Sequence, residues 1–131
     1  MMKDKGRICP SSFVLRLIGQ VTTTYWREIV LKVISLLKRK EGMSLDEFRK
    51  WALEEHVELG KRIPGMRHYR MNVVLEENPA TPDGISEMWF DSMDARNAAF
   101  ATDAGKAAGG DAAAHCSSRT HVFVEEKVVI E

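Results

Sequence analysis

From Ile29 to Leu37 the chain reads IVLKVISLL, rich in β-branched residues and apolar at both parities, the pattern of a strand buried on two faces. One face of such a strand must meet something besides its own helices. After Glu41-Gly42, Ser44 with Glu47 three residues on forms a capping box, which predicts a helix running to about Arg62 before the Pro64-Gly65 stop. A rotation of about 100° per residue places Leu45, Phe48, Ala52, His56, Leu59 and Ile63 on one stripe, so His56 lies on the apolar face.

Met66 to Leu75 alternates as a second strand, with Tyr69, Met71, Val73 and Leu75 on one face and His68, Arg70, Asn72 and Val74 on the other. Glu76 to Gly84 holds Pro79, Pro82 and Asp83-Gly84 and reads as a surface connection. Ile85 to Phe90 is a third strand, with Met88 and Phe90 opposed to Ile85, Glu87 and Trp89. Asp91 or Ser92 caps a second helical stretch whose apolar positions are Met93, Ala95, Ala98, Ala99 and Phe100. Alanine-rich Ala101 to Cys116, interrupted by Gly105, Gly109 and Gly110, predicts short, mobile helical pieces where a lid would sit. Its GKAAGG string is not a phosphate loop, because no GK[ST] follows. Arg119 to Ile130 reads as a long last strand broken at Glu125-Glu126-Lys127.

The order strand, helix, strand, strand, helix, strand predicts an α+β, ferredoxin-like βαββαβ fold, with a four-stranded antiparallel sheet and its helices on one face. The simplest cover for the other face is a second copy related by a two-fold axis. A homodimer follows, the two sheets forming a dimeric α/β barrel.

At 131 residues the chain has the length of one ordinary domain. Nineteen Lys and Arg balance 19 Asp and Glu, which argues against nucleic acid bound through bulk electrostatics. The one basic run, Lys38-Arg39-Lys40, reads as a solvated turn. Cys9 and Cys116 lack CxxC spacing, so neither zinc nor a disulfide is expected, and a cytoplasmic address fits. Residues 1–28 read as an extension outside the core, with the domain spanning 29–131. Arg16 splits their only apolar run, which is too short to span a membrane.

His56 is the strongest candidate for chemistry, because an imidazole on an apolar helix face serves as general acid or base near neutral pH. The competing reading is a core histidine bonded to a backbone carbonyl. Ala52, one turn earlier, leaves room for a ligand. Asn72 and Glu87 are polar positions within strands, so each either holds a substrate oxygen or orients the imidazole, or else pairs across a dimer seam or faces water. Trp89, Trp51, Tyr69, Phe48 and Phe90 either line a pocket or fill the core. No HxxxH or CxxCH pattern is present, and no metal or other cofactor is expected.

The segments LLKRKEGMSLDEFRKWALEEHVELGKRIPGMRHY, DGISEMWFDSMDARNAAFATDAGKAA and VFVEEKVV together resemble an EthD domain of the dimeric α/β-barrel group over about residues 30 to 130. The helix phrase ending in Glu55-His56, the Pro64-Gly65 stop followed by Tyr69, and the DGI-E-WF phrase carry the resemblance. Asp111 to Ser118 departs from the pattern, with small residues and His115 where bulkier apolar and acidic ones are expected. The resemblance implies a cleft for a small, mostly apolar organic molecule between sheet and helices. It also implies kinship with muconolactone-type isomerases, polyketide cyclases and cofactor-free oxygenases. EthD is associated with a cytochrome P450 system for ether breakdown, so the alternative to His acid–base chemistry in catabolism is an accessory or carrier protein for a partner oxidase, or an oxidoreductase of the same barrel group. The expected site is His56 as catalytic residue, with Phe48, Ala52, Tyr69, Asn72, Glu87 and Trp89 around the substrate, and the resemblance adds support at two of these, His56 in the Glu55-His56 phrase and Tyr69 after the Pro64-Gly65 stop. Haem on a helix histidine, known on the same barrel, ranks last.

Overall fold

The computed structural model describes residues 30–131, so the expected N-terminal extension lies outside the described residues. Strand β1 (Leu31–Arg39) takes the centre of the sheet, as its two-sided apolar pattern requires. Val33, Ser35 and Leu37 are buried on the helix side. On the outer side even Lys32 is buried, its ammonium 3.0 Å from Glu87 and 2.8 Å from Glu126. With β2 (His68–Val73), β3 (Gly84–Phe90) and β4 (Cys116–Val124), it forms an antiparallel four-stranded sheet in the order β2-β3-β1-β4. This is the ferredoxin-like arrangement expected.

Helix α1 starts at the capping box. Ser44 Oγ accepts from the Glu47 amide at 3.0 Å, and the Glu47 carboxylate accepts from the Ser44 amide at 2.8 Å. The helix runs α over Leu45–Lys50, π over Trp51–His56 and α again over Val57–Gly60. Ser92, not Asp91, caps α2 (Met93–Ala101), through the Ala95 amide.

Four expectations are corrected. The segment predicted as short helical pieces is one 13-residue helix, α3 (Asp103–His115), capped by Thr102. Runs of alanine outweigh glycines that each cost only about 1 kcal/mol. The last strand begins and ends earlier than predicted, because Cys116 pairs with Arg39 and Val124 with Lys32, near the two ends of β1. Beyond it, Glu126 bonds to Lys32 and to the Trp89 indole on the outer sheet face. Leu75 is 94% exposed, since β2 stops pairing at Val73 opposite Gly84, where β3 begins. The basic run is not a solvated turn: Lys38 and Arg39 end β1, and Arg39 binds the buried Asp83 carboxylate through its guanidinium at 3.0 Å and its amide at 2.9 Å.

Candidate functional site

The core beneath the helices divides into two clusters. One centres on Val33, Ile63, Met88 and Phe90, the other on Leu37, Phe48, Trp51 and Ala52. Strand register shows why they do not merge. Across the middle of the helix-facing surface lie His121, Ser35, Ser86 and Met71, each opposite the next. Two serines at the centre of a sheet leave volume that leucine or valine would fill, and Gly60, Ala108, Gly109 and Ala112 do the same from the helices. The result is a cleft of about 170 Å³ with these residues in its walls. Its size is close to the roughly 150 Å³ of an apolar cavity that holds benzene.

His56 lines this cleft from α1 and is held from behind. Its Nδ1 lies 2.9 Å from Asp111 Oδ2, on α3. The Trp51 indole N–H donates to the same oxygen at 3.0 Å. His115, one turn after Asp111, donates from Nδ1 to the Asp111 carbonyl at 2.8 Å, and its ring stacks on Trp51 with centroids 4.6 Å apart. An ionised carboxylate only accepts, so His56 carries its proton on Nδ1 and presents Nε2 as an acceptor. Nε2 has no hydrogen-bond partner among the described residues.

The π segment makes this grouping possible. Residues five apart on an α-helix point about 140° away from each other. Five-residue closure instead brings Trp51 and His56 to one side, with ring centroids 4.7 Å apart, and buries both. Such π turns recur at functional sites.

Tyr69 enters from β2 and lies against Gly60, where an added Cβ would fall 2.8 Å from its hydroxyl. Burial pushes that hydroxyl up to about 12, so at neutral pH it is a hydrogen-bond donor. At the β4 side, His121 Nδ1 lies 2.7 Å from Ser35 Oγ. Burial, and then the positive fields of Arg96 and Arg119, push the His121 imidazole down, towards its neutral form. Arg96 from α2 and Arg119 from β4 complete the polar lining. Leu37, Ile63, Met71, Met88 and Phe100 supply the apolar part.

Of the residues singled out from sequence, His56 and Tyr69 meet at the cleft. Phe48 and Ala52 are fully buried beside Trp51 and back the wall rather than line it. Asn72, Glu87 and Trp89 lie on the outer sheet face, away from the cleft. There Asn72 donates to Glu87 at 2.9 Å, Lys32 sits 4.6 Å from the Trp89 ring centre, and Arg70 packs on the same ring. Lys32 holds the Glu87 carboxyl below the usual range. Sequence reading missed Asp111, Ser35, Arg96, Arg119 and His121. Among the described residues, no group of three or more His, Cys, Asp or Glu side chains is placed to hold a metal ion.

Among solved structures, the chain is similar to an ethyl tert-butyl ether D (EthD) family protein from Bacillus halodurans, at 26% identity and a TM-score of 0.64, covering 75% of this chain and 99% of that one. It is also similar to a dimeric ferredoxin-like protein of unknown function from Thermobifida fusca, at 17% identity and a TM-score of 0.62, over 75% and 92% of the two chains. The hydroxynitrile lyase of Passiflora edulis shares 11% identity with a TM-score of 0.60, over 78% and 97%. No curated protein matches the sequence. The EthD domain profile matches residues 40–116, more than half the chain and the span that carries both His56 and Asp111, and the chain belongs to the EthD domain family.

Proposed function

We propose that this protein transforms a small, mostly apolar carbonyl compound by general acid–base chemistry, with His56 moving the proton and Asp111 orienting it. The observation that carries the reading is the 2.9 Å contact between His56 Nδ1 and Asp111 at the wall of the cleft, which leaves Nε2 open to a ligand. Nε2 takes a proton from the carbon next to a carbonyl, and the C–H electron pair moves onto the carbonyl oxygen as an enolate. The imidazolium that forms is stabilised by the Asp111 carboxylate, and the Tyr69 hydroxyl donates to the enolate oxygen. Return of the proton to another carbon gives an isomer. Loss of a β leaving group from the enolate gives cleavage.

The reading extends to assembly. The outer sheet face carries Ile34, Leu36, Ile85 and Val122 side by side, all partly exposed. Burying them against a second copy gives a homodimer whose paired sheets form the barrel core, and the Thermobifida fusca relative is described as dimeric. The test is deuterium uptake from heavy water into a panel of small ring ketones and lactones, followed by proton NMR. Uptake that His56→Ala abolishes supports catalysis. Saturable binding of the panel without uptake assigns the protein a carrier role instead, in line with service to a partner oxidase.

A further inference from the structure

The cleft holds more positive charge than its own residues neutralise. Arg96 and Arg119 both line it, and neither meets a carboxylate among the described residues. The Arg96 Nε is buried with no hydrogen-bond partner there. Burying a cation's donors without compensation is costly, and this falls on Arg96, which is half-buried, whereas Arg119 stands exposed on β4 at the mouth of the cleft. Elsewhere in the fold such cations are paired: Arg39 has Asp83, and Lys32 has Glu87 and Glu126.

Both arginines are also held in place. The Arg96 guanidinium packs 4.9 Å from the Phe100 ring centre and 5.5 Å from that of Phe123, while its Nη1 donates to the Asn97 side chain. The Arg119 Nη1 donates to the Gly109 carbonyl at 3.3 Å, tying it to α3. His121, two residues after Arg119 on β4, lies 2.7 Å from Ser35 Oγ, and burial, followed by the fields of the two cations, pushes its imidazole towards the neutral form. Guanidinium groups bind carboxylates through paired N–H donors, so a planar oxyanion is the ligand chemistry that two arginines lining one cleft call for.

We propose that the ligand is a small ring-bearing monocarboxylic acid whose carboxylate is held by Arg96 and Arg119, with its apolar ring over Met88 and Ile63. This substrate class deepens the acid–base reading and rests on it only for what happens at the far end of the ring, where His56 waits. The carboxylate anchors the molecule at one end of the cleft and is not itself transformed.

The test is calorimetric titration with benzoate and with its uncharged counterpart benzamide, on the intact protein and on three variants. Benzoate is expected to bind at least tenfold more tightly than benzamide. Arg119→Gln, on the exposed edge strand β4, is expected to remove at least tenfold of that affinity and to leave benzamide unchanged. Arg96→Gln is expected to act likewise, and Arg96→Lys, which keeps charge and most of the stem, to restore part of the loss. Equal binding of benzoate and benzamide, or benzoate affinity indifferent to both arginines, overturns the proposal. Deuterium uptake by neutral ketones reads His56 without the arginines. Arginine-dependent benzoate binding without uptake therefore sustains the substrate class while the acid–base reading fails, and uptake without such binding has the opposite meaning.

Discussion

Gly105 sets the distance between α2 and α3, and through it the position of the wall that carries Asp111. A Cβ added there would lie 2.3 Å from the Ala99 carbonyl oxygen, 2.5 Å from Phe100 Cα and 2.9 Å from the Phe100 carbonyl carbon. All three are backbone atoms, so no side-chain rotation relieves the overlap. Reaching the 3.4 Å of an ordinary contact requires about 1 Å of helix displacement. Overpacking of this kind costs about 1–3 kcal/mol. Because the site lies in the first turn of α3, the helix-propensity gain of alanine offsets only part of it. A net loss of about 2 kcal/mol corresponds to a melting temperature lower by roughly 8 °C for a domain of this size. Gly110, on the same helix, is exposed and has nothing within 4 Å of the added Cβ. There the same substitution stabilises by about 0.5–1 kcal/mol, as a solvated helix interior should. Thermal denaturation followed by circular dichroism reads both variants against the parent. A Gly105→Ala protein as stable as the parent, or a Gly110→Ala protein as unstable as Gly105→Ala, would show that the α2–α3 approach does not govern this wall.

Two further outcomes follow from the ionisable groups. The Tyr69 hydroxyl is held up to about 12 in the fold against 10.0 for a free tyrosine, so its stabilising contribution is complete below pH 10 and is lost as pH rises towards 12. Allowing for its partial exposure, this amounts to on the order of 1–2 kcal/mol, and Tyr69→Phe is expected to flatten the fall in urea midpoint between about pH 10 and about pH 12. On the outer face, Glu126 accepts from Trp89 and pairs with Lys32. Glu126→Ala is expected to shift tryptophan emission to longer wavelength and to lower the melting temperature, whereas unchanged emission would mean that the segment after β4 does not cover Trp89.

The sheet was legible in the sequence because its determinants are local. Alternation over Tyr69, Met71 and Val73, and the opposition of Met88 to Glu87 and Trp89, assign the faces of β2 and β3 correctly. What alternation cannot say is which face borders a cavity. That depends on Ser35 and Ser86 lying opposite each other across β1 and β3, a consequence of register between strands far apart in the chain. His56 stood out because it is polar on an apolar stripe. Its partner did not, since Asp111 lies 55 residues away in a segment whose glycines suggested irregular structure. The spacing of Asp111 and His115 by one helical turn was the available signal, but it gains meaning only if that segment is helical. The π turn escaped for a related reason: a fixed 100° rotation leaves Trp51 off the stripe, and only the extra residue in the turn brings it beside His56.

The central claim is that Asp111 fixes the proton of His56 on Nδ1 and leaves Nε2 free to act in the cleft. Nitrogen-15 NMR of the histidine side chains, above the pH at which imidazoles protonate, tests it directly. His56 is expected in the Nδ1–H form in the parent protein and is expected to lose that preference in Asp111→Asn. An Nε2–H form in the parent, or a tautomer indifferent to Asp111, would contradict it.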